Sequence, residues 1–124
     1  MAIGYSHVDL IGNLGKDPEM SETGQGMLRA SFSLAVNRVW SDVSGERRQE
    51  TDWFPIVAWG RVAEICRDYL AKGRLVFISG RLQNRRWQDE NGQPHRRTEV
   101  IAREVILLDR PENEAEEHDS SQDS

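Results

Sequence analysis

Along most of this chain apolar residues recur at every second position, the spacing of strands with one buried face, and in one window only they recur at helical spacing. Val8, Leu10 and Leu14 alternate with His7, Asp9 and Asn13 in a first strand over 7–14. Gly15 to Pro18 supplies turn chemistry and Gly24 and Gly26 prolong a loop. A second strand runs from Leu28 to about Val39 through Ala30, Phe32, Leu34 and Val36. Ser41 to Thr51 has no apolar period and reads as a loop, and a third strand covers about Asp52 to Trp59.

Between Arg61 and Lys72 the period changes, with Val62, Ile65, Cys66, Tyr69 and Leu70 at i, i+3, i+4, i+7 and i+8. That is an amphipathic helix, with Gly73 placed as a left-handed C-terminal cap and Arg67 and Lys72 where the helix dipole favours cations. A fourth strand carries Val76, Ile78 and Leu82 on one face from Leu75 to about Trp87, with Gly80 marking a bulge or bend. Asn91-Gly92 signals a hairpin into a fifth strand, Arg96 to Leu108, where Val100-Ile101 and Val105 to Leu108 blur the alternation as a bulge or two-sided burial would. Five strands with one helix between the third and fourth is the order of an OB-fold, a mainly all-β, five-stranded Greek-key barrel whose face and loops bind oligonucleotides or oligosaccharides.

The 124 residues suit one domain, expected over 1–110, followed by a short acidic tail over 111–124 that is too poor in large aliphatic residues to order itself. The net charge of −5 divides into −6 over residues 109–124, where seven acids face Arg110, and +1 over residues 1–108. The folded part is thus slightly basic, and Arg81, Arg85, Arg86, Arg96 and Arg97 form a local positive patch against Asp89 and Glu90. No apolar run approaches the roughly 20 residues of a membrane span, and the lone Cys66 suits a reducing compartment, so a cytoplasmic location is expected.

Trp40, Trp53, Trp59 and Trp87 all fall outside the helix. Trp53 and Trp59 share one face of the third strand, about 20 Å apart, with Pro55 and Val57, while Phe54, Ile56 and Ala58 form the core side. Proteins that hold single strands combine aromatic platforms for bases with cations along the phosphates. Trp40 opens the loop with Arg47 and Arg48, Trp87 adjoins Arg85 and Arg86, and Arg61, Lys72, Arg74 and Arg81 lie near element ends where they reach phosphates. These residues, with Arg96 and Arg97, are the candidate site. Packing in the barrel or at a subunit contact is the competing role of the tryptophans.

No phosphate loop, metalloprotease helix or nucleophile elbow occurs, so neither catalysis nor a cofactor is expected. His7 and His95 lack ligand companions, and His118-Asp119-Ser120 are adjacent tail residues without triad geometry. Two alternatives stand beside single-stranded DNA: an adaptor in a primosome-like assembly that uses the tryptophan face for protein contacts, and an RNA binder of the same stacking type.

Gly12-Asn-Leu-Gly-Lys-Asp-Pro-Glu19, Thr51-Asp-Trp-Phe-Pro-Ile-Val-Ala-Trp-Gly60, Tyr69-Leu-Ala-Lys-Gly73 and Gly80-Arg-Leu-Gln-Asn-Arg-Arg-Trp87 together resemble the bacterial single-stranded DNA-binding protein family over roughly residues 5–108. The resemblance implies sequence-independent binding and protection of single-stranded DNA in replication, recombination and repair. It implies base stacking on Trp40, Trp53, Trp59 and Trp87, a strand path past Arg61, Lys72, Arg85 and Arg86, and a homotetramer. Pro55 stands where the family often has a basic or polar residue, which removes a phosphate contact and points to interrupted pairing. The chain ends Ser120-Ser-Gln-Asp-Ser124 without the apolar tip that in the family recruits other genome-maintenance proteins. That departure argues against recruitment by this route and for a secondary, plasmid or phage copy that covers DNA alone.

Overall fold

In the computed structural model, which describes residues 2–109, strand β1 (Val8–Leu14) pairs antiparallel with two neighbours, and this double pairing closes the sheet. One neighbour is β3 (Leu28–Ser41), which runs beside β4 (Arg47–Trp59); the other is β5 (Leu75–Gln88), which runs beside β6 (Pro94–Leu107). A short parallel contact, Ile56 with Val100 and Val57 with Ile101, joins β4 to β6. The five strands make the OB-fold barrel expected from the sequence. Alternate residues fill it: Ala30, Phe32 and Leu34 from β3, Ile56 and Ala58 from β4, Val76 and Ile78 from β5, Val100 and Ala102 from β6.

Helix α1 (Gly60–Tyr69) packs on this core through Ala63, Cys66 and Leu70. Burial pushes the Cys66 thiol up to about 11, which keeps it protonated and inert at neutral pH. The helix is shorter than its apolar period and slightly rotated from it. Tyr69 is exposed while Ala63 is fully buried, and the helix stops before Lys72. Gly73 has the left-handed φ of +88°, but it lies in a following turn, where Arg74 N–H bonds to Ala71 O, rather than capping the helix. The Lys72 N–H donates to Asp17 in the β1 turn at 2.8 Å.

A further strand, β2 (Glu19–Glu22), forms where a loop is expected and pairs with the start of β3. It places the helix between the fourth and fifth strands of the chain, while leaving it between the third and fourth strands of the barrel. The expected loop from Ser41 to Thr51 is mostly strand: β3 and β4 stay paired out to Ser41 and Arg47. Likewise β5 and β6 stay paired out to Gln88 and Pro94. These two arms leave the barrel, and Asn37 with Thr51 (2.7 Å) and Asn84 with Thr98 (2.8 Å) latch them by cross-strand side-chain bonds.

The arm tips share one turn. Asp42 and Asp89 each accept two backbone N–H bonds, and Gly45 and Gly92 take left-handed φ values of +84° and +78° that a side chain would strain. Hydrogen bonds to Ser44 hold the Asp42 carboxyl below its usual range, and the bond to His95 does the same for Asp89.

Pairing runs unbroken through Pro55, contrary to the interruption expected there. The Ser33 carbonyl bonds to Gly15 N–H on the β1 side, so Ser33 and Pro55 face each other as a pair without mutual hydrogen bonds, and the missing N–H costs β3 nothing. Both readings of the blurred fifth strand occur. The register shifts beside Gly80, where β6 gains one residue, and Val100 and Ile101 are buried on opposite faces.

Candidate nucleic-acid interface

Strand parity sorts the candidate residues onto two surfaces, because β4, β5 and β6 keep the alternation of their buried segments as they run into the arms. The outer barrel surface carries Trp59, Val57, Pro55 and Trp53 on β4, Glu99, Arg97 and His95 on β6, and Arg81, Arg85 and Trp87 on β5. Trp40 belongs to the opposite face of its arm. It follows Phe32, Leu34 and Val36 at two-residue steps and lies across from Arg48. Arg86 and Arg96 likewise continue the core-side face of the second arm.

All four indoles are accessible, Trp53 most of all at 58%, with Trp40 at 41% and Trp59 and Trp87 at 37%. None is sealed in the barrel. The outward pairing of Trp53 and Trp59 matches the sequence reading, although Val57 between them is buried. Trp53 lies over Gly15, where any added Cβ would sit 2.6 Å from the ring, so glycine in the β1 turn sets how close the indole comes to the barrel. Trp53, Pro55, Ser31, Ser33, Lys16 and Arg97 line a groove of about 360 Å³ on this surface.

Each of the other three tryptophans has a guanidinium over its ring: Arg29 over Trp59 at 5.7 Å, Arg38 over Trp40 at 5.4 Å and Arg85 over Trp87 at 4.9 Å. Trp87 is also stacked with His95, 5.4 Å between centroids at 17°, and His95 is fixed by Asp89 at 2.8 Å. Hydrogen bonding to Asp52 at 2.6 Å, with Glu50 adding its charge, raises the pKa of Arg38 further and aims it along the arm.

The cations differ in how free they are. Arg86 and Arg96 sit directly opposite one another, exposed and without an acidic partner among the described residues. Arg47 and Arg61 are exposed and Arg81 is half-buried. Arg48 is tied to Asp42 at 3.1 Å and Glu46 at 3.5 Å. Arg74 is mostly buried and clamps Asp109 at the end of β6 at 3.1 Å, a structural engagement that competes with the phosphate role expected of it. Lys72 is exposed beside the β1 turn.

Sequence reasoning missed Lys16, Arg29, Arg38, His95 and Glu99. Arg38 and Arg85 carry a legible signal, since each stands two residues before a tryptophan on a strand and therefore on the same face. Arg29 and Trp59 meet only through cross-strand register, which no local pattern encodes.

A family model described as the single-strand binding protein family matches residues 5–108. The chain is 45% identical over 109 residues to single-stranded DNA-binding protein 1 of Chlorobaculum tepidum, covering 87% of this chain and 67% of that protein. Among solved structures, the Plasmodium falciparum SSB complex with ssDNA superposes with a TM-score of 0.80 at 34% identity, over 88% of this chain and 99% of the other. A deletion mutant of the single-stranded DNA binding protein from Thermus aquaticus gives 0.76 at 34% identity, over 88% and 53%. With that match across the whole barrel and both arms, the chain belongs to the single-strand binding protein family.

Proposed function

We propose that this protein binds single-stranded DNA without sequence preference, stacking bases on Trp40, Trp53, Trp59 and Trp87 and holding phosphates with arginines of the arms and barrel surface. The observation that carries this reading is the opposed pair Arg86 and Arg96 in the same arm as the exposed Trp87. Two like charges facing each other across a ladder destabilise it, a cost that a bound phosphate relieves, and the indole on the opposite face of the same arm accepts any base. Arg47, Arg61, Lys72 and Arg81 extend the cationic path, with smaller roles for Arg48 and Arg74 because acids already hold them.

Protection of single strands during replication, recombination and repair follows from family membership. A homotetramer is supported by an apolar strip across the outside of β1, β5 and β6, where Ile11, Phe77 and Ile106 are cross-strand neighbours and Ile11 and Ile106 are 55% and 44% exposed. Among the described residues no helix is long and apolar enough to cross a membrane, in keeping with a cytoplasmic site of action. Residues 111–124, outside the described residues, are assigned as an acidic appendage that repels rather than binds DNA.

Anisotropy of a labelled thymidine oligonucleotide tests the reading. Saturable binding is expected, unchanged when thymidine is replaced by mixed sequence and weaker for matched RNA. No binding, or binding to RNA alone, overturns it in favour of the adaptor or the RNA binder.

A further inference from the structure

Glu99 is the one buried charged residue in the described chain, 2% exposed, and it sits on the outer barrel surface rather than in the core. Its carboxylate accepts a hydrogen bond from Arg97 at 2.8 Å and lies 3.9 Å from Arg85. Arg85 and Arg97 are themselves direct cross-strand partners, so without an acid between them they would repel as Arg86 and Arg96 do on the other face. A buried carboxylate in turn is tolerated only when paired, so the three side chains fix one another.

The two arginines lead to different parts of the surface. Arg97 lines the groove with Trp53 and Pro55, and Arg85 lies over the Trp87 ring. Both side chains remain about half exposed, at 48% and 47%. A guanidinium has five N–H donors, so one edge can face Glu99 while another faces solvent.

We propose that Glu99 is a positioning residue for the bound strand: its buried carboxylate holds Arg97 in the groove beside Trp53 and Arg85 against Trp87, so both cations stand ready for phosphates before DNA arrives. This rests on the single-stranded DNA reading. It makes a prediction opposite to simple charge counting, under which removing an acid from a polyanion site tightens binding.

Glu99→Gln keeps the shape and removes the charge, and Glu99→Asp keeps the charge but withdraws it by one methylene. Titration of the full chain with a thymidine oligonucleotide over a salt series is expected to show Glu99→Gln about tenfold weaker than wild type at low salt, as for loss of one charge-assisted hydrogen bond. The log-log salt slope should become shallower by about 1.4, two phosphates at about 0.7 each. Glu99→Asp should also bind more weakly, and Glu99→Gln should change little in an Arg85→Gln/Arg97→Gln background. Binding as tight as wild type or tighter in both Glu99 variants, with the slope unchanged, overturns the inference, as does an undiminished loss in the double-arginine background. Should Glu99→Gln not fold, Glu99→Asp alone decides. A wild type that binds no oligonucleotide overturns the DNA reading as well, whereas one that binds normally beside unaffected Glu99 variants overturns only this inference.

Discussion

Replacing Trp53 by alanine is expected to weaken binding to a thymidine oligonucleotide by about 1–3 kcal/mol, roughly 5- to 150-fold, and by a similar factor for every other base composition. Trp87→Ala should do the same. The effect is uniform because a ring stacks on the π-face that all bases share and reads no edge. The substitutions spare the barrel, since both rings lie outside the residues that fill it. Trp53 should be the cleaner test. It is the most exposed of the four and has no arginine over its ring, whereas Trp87 also organises Arg85 and His95. Fluorescence or anisotropy titration of each variant, with thermal unfolding as a control for the fold, gives the answer. Unchanged affinity in a folded Trp53→Ala protein would mean that the indole serves packing over Gly15 and not bases.

The second large effect concerns salt. If Arg86 and Arg96 each neutralise one phosphate, the double variant Arg86→Gln/Arg96→Gln should lose about 1.4 from the magnitude of the slope of log affinity against log salt. Its free hairpin should be no less stable than wild type, because the opposed guanidiniums repel. Arg48→Gln should move the slope far less, as Asp42 and Glu46 already engage that side chain. Equal slopes for wild type and the Arg86/Arg96 variant would remove this pair from the path of the strand.

Apolar period reports burial, and that explains both what the sequence revealed and what it hid. The barrel segments of β1, β3, β4, β5 and β6 bury one face along most of their length, with burial on both faces only around the β4–β6 contact at Val57 and Ile101, so their alternation located them within a few residues. Arg47 to Thr51 belongs to the same strand as Trp53, but it lies in an arm with no core beneath it and shows no period. The four residues of β2, Glu-Met-Ser-Glu, bury too little to leave a trace. At the helix the buried face runs through Ala63, Cys66 and Leu70 and leaves Tyr69 exposed, and a small alanine adds little to an apolar period, so the face was read slightly rotated.

The site was legible where parity suffices and opaque where register matters. Trp53 and Trp59, six residues apart on one strand, are both found facing outward. That Trp40 emerges on the other face of its arm also follows from parity, once the strand is known to continue past Val39. Glu99 lies just beyond the basic stretch and beside apolar Val100, and only the pairing of β5 with β6 brings it against Arg85. The engagement of Arg74 with Asp109 joins residues far apart in the chain and had no local sign.

Intrinsic tryptophan fluorescence, recorded while adding either a thymidine oligonucleotide or an abasic strand of equal length and charge, asks most directly whether bases rest on the indoles. Strong saturable quenching by the thymidine strand with little from the abasic one is the expected result. Equal quenching by both, or none by either, would mean that the rings do not receive bases.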